Sequence, residues 1–372
     1  MNTNVVYCES CLDTLRKMPD KFLDSVITSP PYWQLRDYGY PEQWGLEPTF
    51  QEYLEHLWSL MDLIWLKLKD TGTVWVNLGD SYSGSGGSGG DYNSGGLREG
   101  QNRVKPPKQN LSKCLLLLPH RFAIGCIERG WIVRNDIIWA KRNGMPESVT
   151  DRFSKKHEYM FFMVKQQKYY FDLEAVREKT LTMDNSLRDR DSTRLNNTPG
   201  RERMNGLTTN NYISKNPGSV SDFWDIPTKP NSVGHYAVYN LDLLKKPILA
   251  GSPEFVCVKC GKARERIVEV VAKGVNVLKE DSKSRKMTIQ PISKNTTLGG
   301  IHSAKADKGF TSCDCNAEFK GGIIYDPFAG SGTTGIAALK AGRQFIGSEM
   351  SAEYAKIANE QIDEFQKQHS LF

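Results

Sequence analysis

The chain has 372 residues, 39% of them hydrophobic and 25% charged, which is enough to bury a core in one large domain or two smaller ones. Lys and Arg number 49 against 43 Asp and Glu, and the formal charge of +6 suits a nucleic-acid partner without requiring one. No run of about 18 apolar residues occurs, and residues 1–5 lack the basic and apolar segments of a signal peptide. We therefore expect a cytoplasmic protein with no membrane partner, whose eight cysteines are thiols or metal ligands rather than disulfides.

Predicted strands and helices alternate along the first half of the chain. Apolar residues recur at helical spacing over residues 50–69, and we expect this helix to end at residues 70–72. Short apolar runs typical of strands lie at residues 5–7, 24–28, 73–78, 137–139 and 159–164. This alternation predicts an α/β sheet with helices covering its faces.

Two polar stretches interrupt the pattern. Residues 81–102 are rich in Gly and Ser, and residues 178–220 are rich in Asn, Thr, Arg and Gly. The first stretch has too few apolar side chains to stay ordered alone. It is therefore either a surface linker or a loop that becomes ordered on the substrate.

The last part of the chain has the layout of a nucleotide-type site in a doubly wound sheet. A predicted strand at residues 323–325 meets a Gly-rich turn, and a helix and a second strand follow. Gly330 and Gly332 let the backbone approach a ligand closely because no Cβ intervenes. Glu349, 17 residues beyond Gly332, ends the second strand and could accept hydrogen bonds from both hydroxyls of a ribose. No Lys follows the glycines, so the turn is not a Walker loop.

Two motifs resemble those of a known enzyme family. DPFAGSGTT, at residues 326–334, resembles the S-adenosylmethionine-binding motif of amino-group DNA methyltransferases, and TSPPYW, at residues 28–33, resembles their catalytic motif. The catalytic motif comes first, which is the circularly permuted order of the beta group. Further similar blocks extend the resemblance over most of residues 5–175 and 224–360. It implies a class I S-adenosylmethionine-dependent methyltransferase fold, Rossmann-like and permuted, with seven mostly parallel strands.

The resemblance also implies a set of cofactor contacts. Glu349 would hold the ribose, and Tyr236 and Ala237 would close the pocket. The family usually has a Gly-Asp pair at the adenine edge, where this chain has Glu9 and Ser10, so Ser10 would make that contact. The residues around the methionine part of the cofactor would be Asp326, Phe328, Gly330, Ser331, Gly332 and Thr333.

The tetrad Ser29, Pro30, Pro31 and Tyr32 suits methyl transfer to an amine on a heteroaromatic ring. The lone pair of such an amine is delocalised, so an enzyme must accept hydrogen bonds from its protons and draw the nitrogen toward tetrahedral geometry. Ser29 Oγ and the Pro30 carbonyl are suited to this, and the two prolines lock the turn. Tyr32 would stack on a base flipped out of the duplex. In isolation the tetrad would be only a rigid turn after a strand.

The first residue of the tetrad bears on the choice of base. Family members with Ser there mostly act on cytosine N4, and those with Asp mostly act on adenine N6. Ser29 therefore favours a site-specific cytosine-N4 methyltransferase of double-stranded DNA, in a restriction–modification or solitary phage-type setting, with a cognate endonuclease as a genetic partner. Adenine N6 remains the alternative, because a hydroxyl and a carboxylate both accept hydrogen bonds from an amine. A DNA-binding relative without turnover is a further hypothesis, against which the intact motifs argue.

Four cysteines fall into two close pairs. Cys257 and Cys260 form a C-x2-C knuckle, and Cys313 and Cys315 follow after 52 intervening residues. Four thiolates in this arrangement suit a structural, tetrahedral Zn²⁺ and leave no open position for catalysis. We predict such a zinc site, and four free or buried thiols are the alternative.

The segment between the cysteine pairs, residues 261–312, holds 11 Lys and Arg against 5 Asp and Glu. It either contacts the DNA backbone or is simply solvated. The predicted parts of the chain are the catalytic part at 1–171 with a flexible loop at 81–112, a target-recognition region at 172–230, a cofactor-binding part at 231–256 and 316–372, and a zinc-tied basic insertion at 257–315.

Several further side chains are candidates near the base. Trp33, Arg36 and Lys141 are predicted to line the base pocket or contact DNA. Glu158, beside His157, is expected to order its strand and the loop that follows Lys141 rather than to act as a general base.

Overall fold

The computed structural model describes residues 1–39, 42–84, 112–144, 147, 149–177, 220–228, 240–273, 275–277, 289–291 and 303–369. Most of the loop predicted at 81–112, and the predicted cofactor contacts Tyr236 and Ala237, lie outside these residues. The chain forms two compact units. The first comprises Met1–Asp172, Ser221–Glu265 and Ser312–Phe372, and the second comprises Leu173–Val220 and Arg266–Thr311.

Fourteen strands are present in the described residues, most of them short. They are β1 (Val5–Tyr7), β2 (Leu23–Thr28), β3 (Leu68–Leu78), β4 (Ile132–Ala140), β5 (His157–Val164), β6 (Phe223–Asp225), β7 (Val256–Cys257), β8 (Arg266–Lys273), β9 (Val275–Val277), β10 (Ile289–Pro291), β11 (Ser303–Phe310), β12 (Phe319–Lys320), β13 (Ile323–Asp326) and β14 (Gln344–Ser348). The helices are α1 (Cys11–Lys17), α2 (Phe50–Lys67), α3 (Leu118–Glu128), α4 (Leu241–Gly251), α5 (Thr333–Lys340) and α6 (Ala352–His369), with a 3-10 turn at Glu174–Val176.

The first unit is built around one sheet of eight strands, in the order β1-β14-β13-β2-β3-β5-β4-β6. Neighbours from β1 to β3 run parallel, whereas β5 runs antiparallel to both β3 and β4. The predicted mostly parallel α/β sheet is thus confirmed. It has one strand more than the seven expected, because the short β6 pairs in parallel with Ile138–Ala140 of β4.

Helices cover both faces of this sheet. Successive side chains of a strand point to opposite faces, so a fully buried strand packs against helices on both sides. In β2, Val26 packs on the face that carries α1, α2 and α3, whereas its neighbour Ile27 packs on the face that carries α4, α5 and α6. All six residues of β2 are buried, including the polar residues Asp24, Ser25 and Thr28, each of which forms a side-chain hydrogen bond. Within the described residues, we find no helix with the length and apolarity needed to span a bilayer.

The long helix α2 begins at a local capping motif and ends where the chain pairs with the sheet. Thr49 and Glu52 form a capping box, with each side chain accepting from the other residue's backbone N–H at 3.2 Å. The helix ends at Lys67 and β3 begins at Leu68, so the prediction that it closes at residues 70–72 was wrong. Buried Leu68 pairs with β2, and Lys69 forms an ion pair of 2.7 Å with the buried Asp24, which draws the segment into the sheet.

The topology brings the ends of three parallel strands together. Ser29 follows β2, Pro327 follows β13 and Glu349 follows β14, all at the carboxyl edge of the sheet. A buried hydrogen bond of 2.8 Å from Thr28 Oγ1 to Asp326 Oδ1 joins the ends of β2 and β13. Carboxyl edges of parallel strands are where open α/β sheets bind ligands.

The second unit contains paired strands from the predicted insertion. β8 and β11 are antiparallel, from Lys273 opposite Ser303 to Arg266 opposite Phe310, and β9 pairs antiparallel with β10. Arg266 forms an ion pair of 2.5 Å with Asp307 and lies over the Phe310 ring.

Candidate active site

The catalytic loop, residues 29–32, leaves β2 at the carboxyl edge of the sheet and is held from the side by α2. Tyr53 of α2 is buried, and its hydroxyl donates a hydrogen bond of 2.8 Å to the Pro31 carbonyl. The Leu35 N–H donates to the Tyr32 carbonyl at 3.2 Å and closes the turn. The two prolines and these contacts together fix the path of the loop.

The Tyr32 side chain lies in a slot that only glycine allows. A Cβ on Gly79 would lie 2.6 Å from Tyr32 Cε2, well inside the contact distance of two carbons. At the far end of the ring, the Tyr32 hydroxyl donates to Glu158 Oε2 at 2.7 Å and also lies 3.0 Å from Asn77 Oδ1. The ring is therefore fixed both along its edge and at its hydroxyl.

Asn77 of β3 connects this network to Ser29. Its Nδ2 lies 3.0 Å from the Tyr159 carbonyl oxygen and 3.3 Å from Glu158 Oε2. Because both of these atoms are acceptors, they must face the amide nitrogen, and Asn77 Oδ1 then faces Ser29 Oγ at 3.4 Å. If the Ser29 hydroxyl hydrogen points to Asn77, the lone pairs of Ser29 Oγ are left to accept hydrogen bonds from an amine.

On the cofactor side, Asp326 ends β13 as a buried carboxyl group. Oδ1 accepts from Thr28 Oγ1 and from the Phe328 N–H at 3.1 Å, and Oδ2 accepts from Thr334 Oγ1 at 2.6 Å. Burial raises the pKa of Asp326 from 3.8 to about 6, although these three donors oppose the rise. The carboxyl group ties the glycine loop to β2 and to the first turn of α5.

Glu349, at the end of β14, faces the glycine loop. Its Oε1 accepts from the Ser351 N–H at 2.8 Å, and its Oε2 accepts from the Gly330 N–H at 2.9 Å. Burial raises the pKa of Glu349, and the Ser351 and Gly330 N–H groups oppose that rise. Gly330 has a φ of +51°, a backbone conformation that glycine adopts without steric cost.

Both loops line one cavity of about 580 Å³. Trp44 also lines this cavity, and its ring centroid lies 5.4 Å from that of Phe328. The cavity brings together the predicted residues Ser10, Ser29, Pro30, Pro31, Tyr32, Arg36, Lys141, Asp326, Phe328, Gly330, Ser331, Thr333 and Glu349.

Three predicted residues have structural contacts that the sequence did not indicate. Trp33 is buried in the core, at 6.3 Å from Phe50 between ring centroids, and its indole N–H donates to the Glu47 carbonyl, so it does not form part of the cavity wall. Gly332 caps α5, where a Cβ would lie 2.9 Å from the Cβ of Ala358, so its role is helix packing. Ser10 does line the cavity, but its Oγ also caps α1 by accepting from the Leu12 N–H.

The sequence did not single out Asn77 or Trp44 as site residues, and it gave Glu158 a merely supporting role. Asn77 carries a usable signal, since it is the polar residue of the otherwise apolar run 74–78, and the structure buries it to 1% exposure. Trp44 lies in an irregular segment with no periodicity to mark it. Lys141 forms an ion pair with Glu158 and lies over the Trp139 ring at 4.2 Å.

The four predicted zinc ligands come together at a second place in the first unit. The Sγ atoms of Cys257, Cys260, Cys313 and Cys315 all lie within 4.8 Å of one another. Cys257 lies on β7, which pairs antiparallel with β12, and the Gly261 N–H donates to the Cys257 carbonyl at 2.9 Å to close the knuckle.

The knuckle also favours the ionised form of one thiol. The backbone N–H groups of Cys260 and Lys259 point to Cys257 and lower its pKa from 9.0 to about 6. Four convergent sulfurs on two tight turns form the donor set that tetrahedral Zn²⁺ prefers.

Comparison with known proteins shows the family of the chain. Residues 23–262 and 315–360 match the N6_N4_Mtase family, described as DNA methylase. The chain is 29% identical over 359 residues to the type II methyltransferase M.Cfr9I of Citrobacter freundii, covering 96% of this chain and 87% of that protein. It is 28% identical over 351 residues to the type II methyltransferase M.SmaI of Serratia marcescens, covering 94% and 87%.

Among solved structures, the fold is similar to that of the PvuII DNA methyltransferase (cytosine-N4-specific). The TM-score is 0.51 at 15% sequence identity, with 98% of this chain and 91% of that chain covered. At this identity the likeness concerns the fold. With the catalytic loop before the glycine loop, and both on one cavity, the chain belongs to the amino-group DNA methylases of the beta group and has their permuted class I S-adenosylmethionine-dependent methyltransferase fold.

Proposed function

We propose that the protein is a site-specific DNA methyltransferase that transfers a methyl group from S-adenosylmethionine to N4 of cytosine in duplex DNA. The observation that carries the proposal is the single cavity lined by both the Ser29–Tyr32 loop and the Asp326–Thr333 loop. A cofactor on one loop would present its methyl group to a base held by the other.

The residues on the cofactor side fit S-adenosylmethionine by their chemistry. The Glu349 carboxylate suits the two hydroxyls of a ribose, and the rings of Phe328 and Trp44, tilted by 59° to each other, offer apolar surface to an adenine. The cavity volume of about 580 Å³ lies within the range of small-molecule sites. When bound, the cofactor would supply an electrophilic methyl group.

The chain's own residues would prepare the amine. The amine of a paired cytosine lies inside the duplex, so the base must leave the stack to reach the cavity. Tyr32, fixed by Gly79 and Glu158, would stack on the base. Ser29 Oγ and the Pro30 carbonyl would accept from the amine hydrogens and draw its lone pair out of conjugation. The surplus proton is lost to water after transfer, and no covalent link to the enzyme is needed.

Two observations support cytosine N4 as the target. Ser29 occupies the position where a Ser accompanies cytosine N4 in the resemblance described above. The structural neighbour with a TM-score of 0.51 is named as cytosine-N4-specific. Adenine N6 is the competing outcome in the experiment below.

The partners follow from the same proposal. Because M.Cfr9I and M.SmaI are type II methyltransferases, we propose the modification half of a restriction–modification system, with a cognate endonuclease as a genetic partner. Target recognition is assigned to residues 172–230, and backbone contact to the basic residues 257–315.

The deciding experiment is expression in a host that lacks DNA methylation, followed by single-molecule sequencing of its DNA. We expect N4-methylcytosine in one sequence context. N6-methyladenine alone would overturn the choice of base, and unmodified DNA from a protein that still binds S-adenosylmethionine would overturn the enzyme assignment.

Within this experiment, Ser29→Ala isolates the role of the hydroxyl. Loss of one hydrogen-bond acceptor for the amine should lower kcat by about 10²-fold, with cofactor affinity unchanged. The matched control is Ser154→Ala, at an exposed loop position. A Ser29→Ala enzyme with full activity would contradict the mechanism.

We also propose that Cys257, Cys260, Cys313 and Cys315 bind one structural Zn²⁺. The proposal is supported by the mutual approach of all four sulfurs and by the pairing of β7 with β12, which places the two cysteine pairs side by side. Such an ion would join residues far apart in the chain and stabilise the folded state at the root of the basic insertion.

The zinc proposal is tested by elemental analysis of the purified protein. We expect one zinc per chain, release of the metal by a chelator together with four reactive thiols, and a lower Tm for Cys315→Ser. The matched control is Cys114→Ser, a cysteine on an exposed segment of the first unit. Metal-free protein with the same Tm before and after chelation would rule the site out.

A further inference from the structure

Glu158, the second residue of β5, has more partners than a strand residue needs for packing. Its side chain is 15% exposed and lines the active-site cavity. Oε2 accepts from the Tyr32 hydroxyl at 2.7 Å and from Asn77 Nδ2 at 3.3 Å, and Oε1 forms an ion pair with Lys141 Nζ. One carboxylate therefore contacts residues from the catalytic loop, from β3 and from the end of β4.

Lys141 is held in turn by its own surroundings. Its ammonium group lies 4.2 Å from the centroid of the Trp139 ring, and Trp139 lies opposite Glu158 in the pairing of β4 with β5. The two oxygens of Glu158 therefore meet one cation and two further hydrogen-bond donors.

Glu158 is poorly placed to act as a base itself. Its two oxygens already accept from Tyr32, Asn77 and Lys141. Its influence on the target amine must pass through the side chains that it holds, because Asn77 and not Glu158 contacts Ser29.

We propose that Glu158 is a positioning residue for methyl transfer, which sets the Tyr32 ring and the Asn77 amide so that Ser29 Oγ presents its lone pairs to the target amine. Lys141 holds Glu158 in turn. This role extends the proposed function. It rests on that function only in one respect, namely that an amine is the group that donates a hydrogen bond to Ser29.

A purely structural role for Glu158 is the competing explanation. The hairpin of β4 and β5 is already paired along eight positions, from Ile132 opposite Val164 to Ala140 opposite His157. Loss of one edge ion pair should therefore leave the hairpin folded. A positioning role instead predicts lower turnover in a protein of normal stability and normal cofactor affinity.

The test compares Glu158→Gln with Glu128→Gln, an exposed control on α3. Glu158→Gln keeps the size but loses one acceptor and the charge. We expect kcat to fall by about 10- to 100-fold, with Tm and the Kd of S-adenosylmethionine unchanged. Glu158→Asp should recover part of the loss. Combining Glu158→Gln with Tyr32→Phe should lower kcat no further than the more harmful single change.

A second measurement does not depend on turnover. In protein with isotope-labelled tyrosine, the Tyr32 ring signal, assigned with Tyr32→Phe, should shift in Glu158→Gln and stay in place in Glu128→Gln. An unchanged signal, wild-type kcat in Glu158→Gln, or multiplicative losses in the double variant would each overturn the proposal. If the wild-type protein itself transfers no methyl group to DNA, the proposed function fails, and the ring signal still decides whether Glu158 positions Tyr32.

Discussion

Two loops meet at the cavity, and they follow adjacent parallel strands of one sheet. The loop after β2 carries Ser29 and Tyr32, and the loop after β13 carries Gly330. The first is a proline turn held by side chains from other elements: Tyr53 of α2 donates to the Pro31 carbonyl, and Glu158 of β5 accepts from the Tyr32 hydroxyl.

Apart from the hydrogen bond that Thr28 donates to Asp326, the loop after β13 is held by residues from the last part of the chain. Asp326, at its start, accepts from the Phe328 N–H and from Thr334, and Glu349 accepts from the Gly330 N–H across 19 residues. Backbone groups and glycine conformations therefore shape the cofactor loop, whereas side chains from separate elements shape the catalytic loop. Substitutions remote from the motif should thus harm the chemistry more than they harm cofactor binding.

The largest expected effect concerns the carboxyl group that joins the two loops. Because the pKa of Asp326 is raised from 3.8 to about 6 in the folded protein, the folded state binds more protons than the unfolded state between these values. The stabilisation from Asp326 is therefore complete below pH 4 and is lost as pH rises through about 6, a change of about 3 kcal/mol.

Asp326→Asn removes this titration. We expect the difference in unfolding free energy between wild type and Asp326→Asn to fall by about 3 kcal/mol from pH 4 to pH 7, measured by urea denaturation at both values. Groups that do not interact with Asp326 titrate alike in the two proteins and cancel, whereas the pKa of Glu349, which Asp326 helps to raise, should fall in Asp326→Asn. If the difference in unfolding free energy stays constant with pH, burial does not raise the pKa of Asp326.

The next effect tests the dependence of the catalytic loop on remote residues. Gly79→Ala places a Cβ 2.6 Å from Tyr32 Cε2, so the ring must leave its present position. A displacement of this size should lower kcat by about 100-fold. The Kd of S-adenosylmethionine should stay the same, because Gly79 does not touch the cofactor loop. Single-turnover methylation and cofactor titration measure the two quantities, and an equal loss in both would break the contrast between the loops.

The smallest effect is expected at the matching glycine of the cofactor loop. Gly330→Ala meets no atom within 4 Å, but φ is +51° there. The cost is therefore only that of a left-handed conformation, about 1 kcal/mol. We expect cofactor affinity to weaken by about 5-fold with the methyl-transfer step unchanged at saturating cofactor. A larger loss in kcat than in affinity would show that the cofactor loop also positions the base.

The sequence predicted the fold well where periodicity is local. The strands at residues 24–28 and 323–325 were correct in type and place, because β-branched and apolar residues next to a Pro-rich or Gly-rich turn are a local signal. The end of α2 was wrong, since pairing of Leu68 with β2 outweighs the local helical pattern. Trp33 was assigned to the base pocket, yet it packs against Phe50 in the core.

The active site shows the same division between local and long-range information. By itself, the sequence determined the two motifs, the rigidity of Pro30 and Pro31 and the freedom of Gly330, because these are properties of single residues and their immediate neighbours. Only the tertiary structure decided how Ser29 is oriented. Its partner Asn77 lies 48 positions away, and Glu158 lies 126 positions from Tyr32. Such contacts arise from the order in which strands pair in the sheet, and no local window of sequence contains that order.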